Sequence, residues 1–181
     1  MYMDKLMAAL QRLHELLDRY RIGYIVVGSL ADYLLGVPAA RPRDIDVLIS
    51  ARDAEKAGTL ISAEPGISTI VPIGYRESSR IRGLYGRFSL ASVTVDILAN
   101  IYLRYGDRWI PISYEDLLPC TLEVKVTGNI AVRIPCPEIQ LVADEALGRL
   151  ERAETLAGLI NRDGCGAKLS ACRFLSFLGN A

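Results

Sequence analysis

Two apolar runs set close together constrain this chain more than anything else in it. Tyr24-Ile25-Val26-Val27 and Ile45-Asp46-Val47-Leu48-Ile49 have the β-branched character of strands. Between them, Gly28-Ser29 opens a short helical stretch that ends at Gly36, followed by a loop stiffened by Pro38 and Pro42. A strand–helix–strand unit must bury its strands in a sheet, and an apolar content of 51% supplies a core for one. The expected class is α/β (α+β): a mixed β-sheet flanked by helices, with a C-terminal helical pair.

Charge is placed oddly within this unit. Strand side chains alternate faces, so Asp44 and Asp46 point to one side of the sheet while Ile45, Val47 and Ile49 point to the other. Neighbouring carboxylates repel, and folding gains nothing from pairing them. A divalent cation relieves the repulsion, and hard oxygen ligands suit Mg²⁺ or Mn²⁺. Gly28 leaves room for a group to approach the backbone. Ser29 is placed to cap the following helix while its N–H groups face an anion. An anion cradle beside a carboxylate pair is the pattern of a metal–nucleotide site.

These residues resemble the polymerase-beta-like nucleotidyltransferase superfamily. Its motif is an apolar strand, Gly-[Gly/Ser], a spacer, Asp-x-[Asp/Glu] on the next strand and a third carboxylate on a later one. Gly28, Ser29, Asp44 and Asp46 match, and Asp96, within Val93-Thr94-Val95-Asp96-Ile97-Leu98, is the third carboxylate. Arg41, ahead of the Asp pair, looks like the minimal branch related to abortive-infection toxins, although the Thr common there is missing. The resemblance covers roughly residues 22 to 100. Asp-x-Asp alone is a weak signal: with 21 acids in 181 residues, about 2.4 acid-x-acid pairs arise by chance. The conjunction of strand, Gly-Ser, helix, paired strand and later Asp is what distinguishes this one.

The resemblance implies a Mg²⁺- or Mn²⁺-dependent nucleotidyltransferase that moves a nucleoside monophosphate from an NTP to a hydroxyl acceptor. Asp44, Asp46 and Asp96 would be catalytic and metal-ligating, with Asp96 as base. Gly28, Ser29, Arg41 and Arg43 would bind the nucleotide. The acceptor stays open among a small molecule, an RNA end and a partner protein. The alternative is a nucleotidyltransferase-fold component of a toxin–antitoxin pair, acting through partner binding or modification. A homodimer or a toxin–antitoxin partner is the assembly either would form.

Composition narrows the rest. Formal net charge is zero, so no global field draws the protein to nucleic acid. No stretch is apolar for long enough to span a bilayer, and the amphipathic N-terminus does not read as a signal peptide, so a cytoplasmic protein is expected. Cys120, Cys136, Cys165 and Cys172 lack zinc-ligand spacing and His14 is the only histidine, which argues for buried thiols rather than a zinc site.

Along the chain, helical spacing marks residues 3–20, with Gly23 as stop. A helix over Ala51–Ala63, opened by a Ser50–Asp53 capping box, precedes a strand over Ser68–Val71. Residues 72–87, rich in Gly and Arg, read as a flexible basic loop able to close on phosphate. Strands follow over Phe88–Ser92 and Val93–Leu98 around a tight Ala91-Ser92 turn, then a short helix over Asn100–Tyr105 and a core anchor at Trp109 and Ile110. Thr121–Ile134 reads as a hairpin, Glu138–Asn161 as one long helix and Ala167–Leu178 as another. This divides the chain into a core of residues 1–134 and a helical extension of residues 135–181.

Overall fold

A six-stranded mixed sheet separates two cores, and the candidate site lies on one of its faces. The computed structural model describes residues 2–127 and 130–163. Helix α1 (Tyr2–Arg19) is followed by β1 (Tyr24–Val27), α2 (Gly28–Leu34), β2 (Asp44–Ile49) and α3 (Ala54–Ala63). Then come β3 (Ile67–Glu77), β4 (Ile81–Leu90), β5 (Val93–Tyr105), β6 (Arg108–Ile112) and α4 (Tyr114–Leu117). Strands β7 (Thr121–Thr127) and β8 (Ile130–Pro135) form a separate hairpin sheet, and α5 (Pro137–Leu147) and α6 (Leu150–Asp163) complete the described chain.

The sheet order is β1-β2-β5-β4-β3, with β6 paired to the far end of β5. Strands β2 and β5 run parallel, and every other pair in the sheet is antiparallel. Because strand faces alternate, Ile45, Val47, Val95 and Ile97 turn to one side and pack under Leu6, Leu10, Leu13 and Leu17 of α1. The opposite face presents Ile25, Leu48 and Leu98, which meet Ile110, Ile112 and Ile139 of α5. Both cores are continuous, and the acids of β2 interrupt only the second.

Several expectations are corrected. Residues 72–87 are not a loop: they make most of the long β3–β4 hairpin. Glycine there serves close packing, since a Cβ on Gly86 would lie 2.4 Å from Ile73. The expected helix over Asn100–Tyr105 is the end of β5. Asn100 adopts φ +45°, opposite Gly83 at φ +146°, and this bulge, rather than a helix start, is what the Asn marks. Ile110 is buried, but Trp109 is only half-buried and lies 4.4 Å beneath the Arg82 guanidinium. Ser50 caps nothing; its hydroxyl donates to Glu115 at 2.5 Å. Gly148, at φ +74°, divides the expected long helix into α5 and α6. The tight turn at Ala91-Ser92 is present, with φ +50° and +65°. The helix expected over Ala167–Leu178 lies outside the described residues.

Candidate active site

Register brings the acids together. Val27, Asp46, Asp96 and Arg87 stand directly opposite one another on β1, β2, β5 and β4, one row across four strands. Residues in such a row share a face, so Asp46 and Asp96 are immediate neighbours and Asp44 lies one step along β2. Each of the three acids offers one carboxylate oxygen, and these oxygens all lie within 4.8 Å of one another. Asp96 is 5% exposed, while Asp44 and Asp46 are half-buried.

Such a cluster is unfavourable alone. Burial, then the charges of Asp44 and Asp96, push Asp46 up to about 7. Burial and Asp96 also raise Asp44. Arg87 and Arg149 oppose both shifts. Arg87 holds Asp96 in a bidentate fork, Nε to Oδ1 at 2.8 Å and Nη2 to Oδ2 at 2.7 Å. The Tyr85 hydroxyl donates to Asp96 Oδ1 at 3.1 Å, and burial followed by the Asp96 charge raises that phenol to about 12. The repulsion these arginines leave among hard oxygen donors at this spacing suits a divalent cation, and the residues fit one.

The Gly-Ser turn abuts the acids. Gly28 has φ +67°, and a Cβ there would fall 2.4 Å from Asp46 Oδ2, so conformation and space both require glycine. Ser29 is nearly buried within the first turn of α2 and is not its cap, which is Val27. The Gln140 side chain of α5, 2% exposed, donates to the Gly28 carbonyl at 3.2 Å and to Asp32 Oδ1 at 2.6 Å. Arg152 of α6 reaches Asp32 Oδ2 at 3.3 Å, and Arg149 reaches Asp144 Oδ1 at 3.4 Å. Burial raises the carboxyls of Asp32 and Asp144 and so favours their neutral forms, and these two arginines offset that cost.

Asp44, Asp46, Asp96, Gly28 and Ser29 therefore meet in one place. Arg41 and Arg43 stay exposed on the loop before β2, where the Arg43 carbonyl accepts from the Tyr2 hydroxyl. The cations acting on the acids are Arg87 and Arg149, which sequence reasoning missed. The signal for Arg87 was its two-residue spacing from Tyr85, legible only once the segment is taken as a strand. For Gln140 the signal was an amide beside the apolar stripe of a helix.

No family model and no curated protein matches the sequence. Solved structures do. A Thermotoga maritima protein described as a candidate nucleotidyltransferase superposes with a TM-score of 0.61 at 26% identity, covering 84% of this chain and 92% of that one. The antibiotic-resistance factor ANT(2'')-Ia gives 0.58 at 12% identity, over 99% of this chain and 94% of that one. Its complex with adenylyl-2''-tobramycin gives 0.56 at 11% identity, over 96% and 97% of the two chains.

Proposed function

We propose that this chain, which has the polymerase-beta-like nucleotidyltransferase fold, transfers a nucleoside monophosphate from an NTP to a hydroxyl acceptor with a divalent cation. The observation that carries this is the convergence of Asp44, Asp46 and Asp96, with ligand oxygens within 4.8 Å. Mg²⁺ or Mn²⁺ held by the three acids would polarise the triphosphate and lower the pKa of the attacking hydroxyl. Gly28 lets the phosphates approach the backbone, and Gln140 fixes the carbonyl of that turn. Asp96 takes the hydroxyl proton as the Arg87 fork loosens, so Arg87 sets the direction of that carboxylate. Arg149, already beside the acids, balances charge as pyrophosphate leaves. Arg41 and Arg43, exposed on the loop before β2, would contact the outer phosphates. The acceptor is a small molecule, an RNA end or a toxin–antitoxin partner, and copurification of a small helical protein would identify the last.

The test is thermal denaturation with each NTP, with and without Mg²⁺ or Mn²⁺, beside an Asp44→Asn/Asp46→Asn control. At a hundredfold excess over Kd, a nucleotide stabilises by about 2.7 kcal/mol. The expected result is metal-dependent stabilisation of the natural protein alone. No stabilisation by any nucleotide with either metal would remove the proposal.

A further inference from the structure

A cavity of about 230 Å³ opens beside the acids and runs beneath α5. Asp46, Asp96 and Tyr85 line it together with Gln140, Asp144 and Arg149, and the rest of its lining is mostly apolar, from Leu48 and Leu98 to Ile101 and Ala143. The Asn100 bulge explains the continuity of one wall. Strict alternation from Leu98 would put Asn100 on this face, whereas the bulge turns Ile101 and Leu103 inward after Leu98. From the geometry we infer that this cavity selects the acceptor, and that the acceptor is an alcohol or phenol with an apolar body. This deepens the nucleotidyl-transfer proposal and rests on it.

The chemistry of the walls decides among candidates. A polycationic aminosugar needs unpaired carboxylates along its length, but of the acids that line the cavity Asp96 is held by Arg87, Asp144 is paired with Arg149, and the charge of both arginines opposes Asp46. A nucleobase needs donors and acceptors for its edge. The nearest amide, Gln140, already donates to Gly28 and Asp32. Asp144 adds one oxygen, Oδ2, unpartnered among the described residues, to the lining, and otherwise what remains is apolar space leading to Asp96. An apolar cavity of about 150 Å³ takes benzene, so by volume this one takes a body of about nine carbons. With that body between β5 and α5, its hydroxyl lies at Asp96. The hydroxyl oxygen bonds to the α-phosphorus of the NTP, and the bond from that phosphorus to the bridging oxygen breaks. Pyrophosphate leaves with the electron pair, and the hydroxyl proton passes to Asp96 and then to solvent.

The probe is 1-naphthol, titrated into the full chain by calorimetry and offered as acceptor with α-labelled NTP and Mg²⁺ or Mn²⁺. A polycationic aminosugar and a short RNA serve as competing acceptors. Ala143→Trp fills the cavity from α5, and Ile101→Trp fills it from the opposite wall should the first variant fail to fold. The expected result is saturable naphthol binding, transfer to naphthol above either competitor, and at least tenfold loss of both in the filled variant with NTP stabilisation unchanged. Absent naphthol binding with NTP binding intact overturns the acceptor assignment alone. Loss of NTP binding in the filled variant overturns it too, because the cavity then holds the base. Naphthol binding without any NTP binding removes the nucleotidyl-transfer proposal, and the acceptor role with it.

Discussion

Asp46→Asn separates the cost of the acid cluster from its use. The folded value of Asp46, about 7, lies above its ordinary value of 3.8, so the folded protein holds a proton there that the unfolded chain releases. That contribution to stability is fully present below pH 3.8 and is lost as pH rises through about 7. At about 1.4 kcal/mol per unit, the difference sets a ceiling of about 4 kcal/mol at pH 8. Relaxation of a half-exposed cleft lowers the effect to about 2 kcal/mol. In EDTA at pH 8 the Asn variant should therefore melt higher than the natural protein, by about 4–8 °C for a chain of this size. Below pH 4 the two should converge. Mg²⁺ or Mn²⁺ should raise the melting temperature of the natural protein increasingly above pH 7 and leave the variant unmoved. Differential scanning calorimetry across pH, with and without metal, gives every number needed. A variant that melts lower at pH 8 in EDTA, or that keeps the full metal response, would refute the electrostatic account.

Gly28→Ala forces a Cβ toward Asp46 at φ +67° and should cost about 1–3 kcal/mol, with loss of metal-dependent nucleotide stabilisation, read from paired melts with and without NTP. Arg87→Met removes the fork on Asp96. It should cost about 1–3 kcal/mol in chemical denaturation and more than tenfold in kcat, with partial rescue by Arg87→Lys, which keeps charge but not bidentate geometry. Gln140→Leu leaves the Gly28 carbonyl without that donor and Asp32 with one fewer. It should destabilise by about 1–3 kcal/mol and raise KM for the nucleotide more than it lowers kcat, whereas a purely structural loss would reduce active enzyme without moving KM.

Much of the site could be read from residue order because its central elements are local. The Gly28-Ser29 turn and the Asp44–Asp46 pair sit on neighbouring strands joined by one short helix, and face alternation alone predicts which side the acids take. Asp96 required only the expectation that its strand joins the same sheet, and β2 and β5 pair with Asp46 opposite Asp96. What escaped follows from reading residues 72–87 as a loop. The Ala91-Ser92 turn pairs Leu90 with Val93 and, counted back along β4, sets Arg87 opposite Asp96, but that count needs the strand to continue past Phe88 into the Gly- and Arg-rich segment. The glycines that made residues 72–87 look like a loop are explained by Ile73 packed over Gly86, a cross-strand contact. Asn100 was ambiguous for a related reason: its tolerance of positive φ serves helix ends, turns and bulges equally.

The break at Gly148 shows how the C-terminal helices serve the acids rather than only cover the sheet. Beyond the row of Asp46, Asp96 and Arg87, the face that carries the acids presents Ile25, Leu48 and Leu98, and stability alone would favour sealing it with aliphatic side chains. Helix α5 does this with Ile139, then stops one turn beyond Ala143. A continuous helix would rise 1.5 Å per residue along its axis and carry Arg149 and Arg152 past the cluster. The left-handed Gly148 turns the chain instead. Arg149 then opposes the charge of Asp44 and Asp46, Arg152 reaches Asp32, and Gln140, one helix earlier, holds the carbonyl of Gly28. Gln140 of α5, Arg149 of the junction and Arg152 of α6 thus brace the Gly-Ser turn, α2 and the acids. Straightening this junction with Gly148→Ala should loosen that bracing before it disturbs the sheet, because β1, β2, β4 and β5 pair without it.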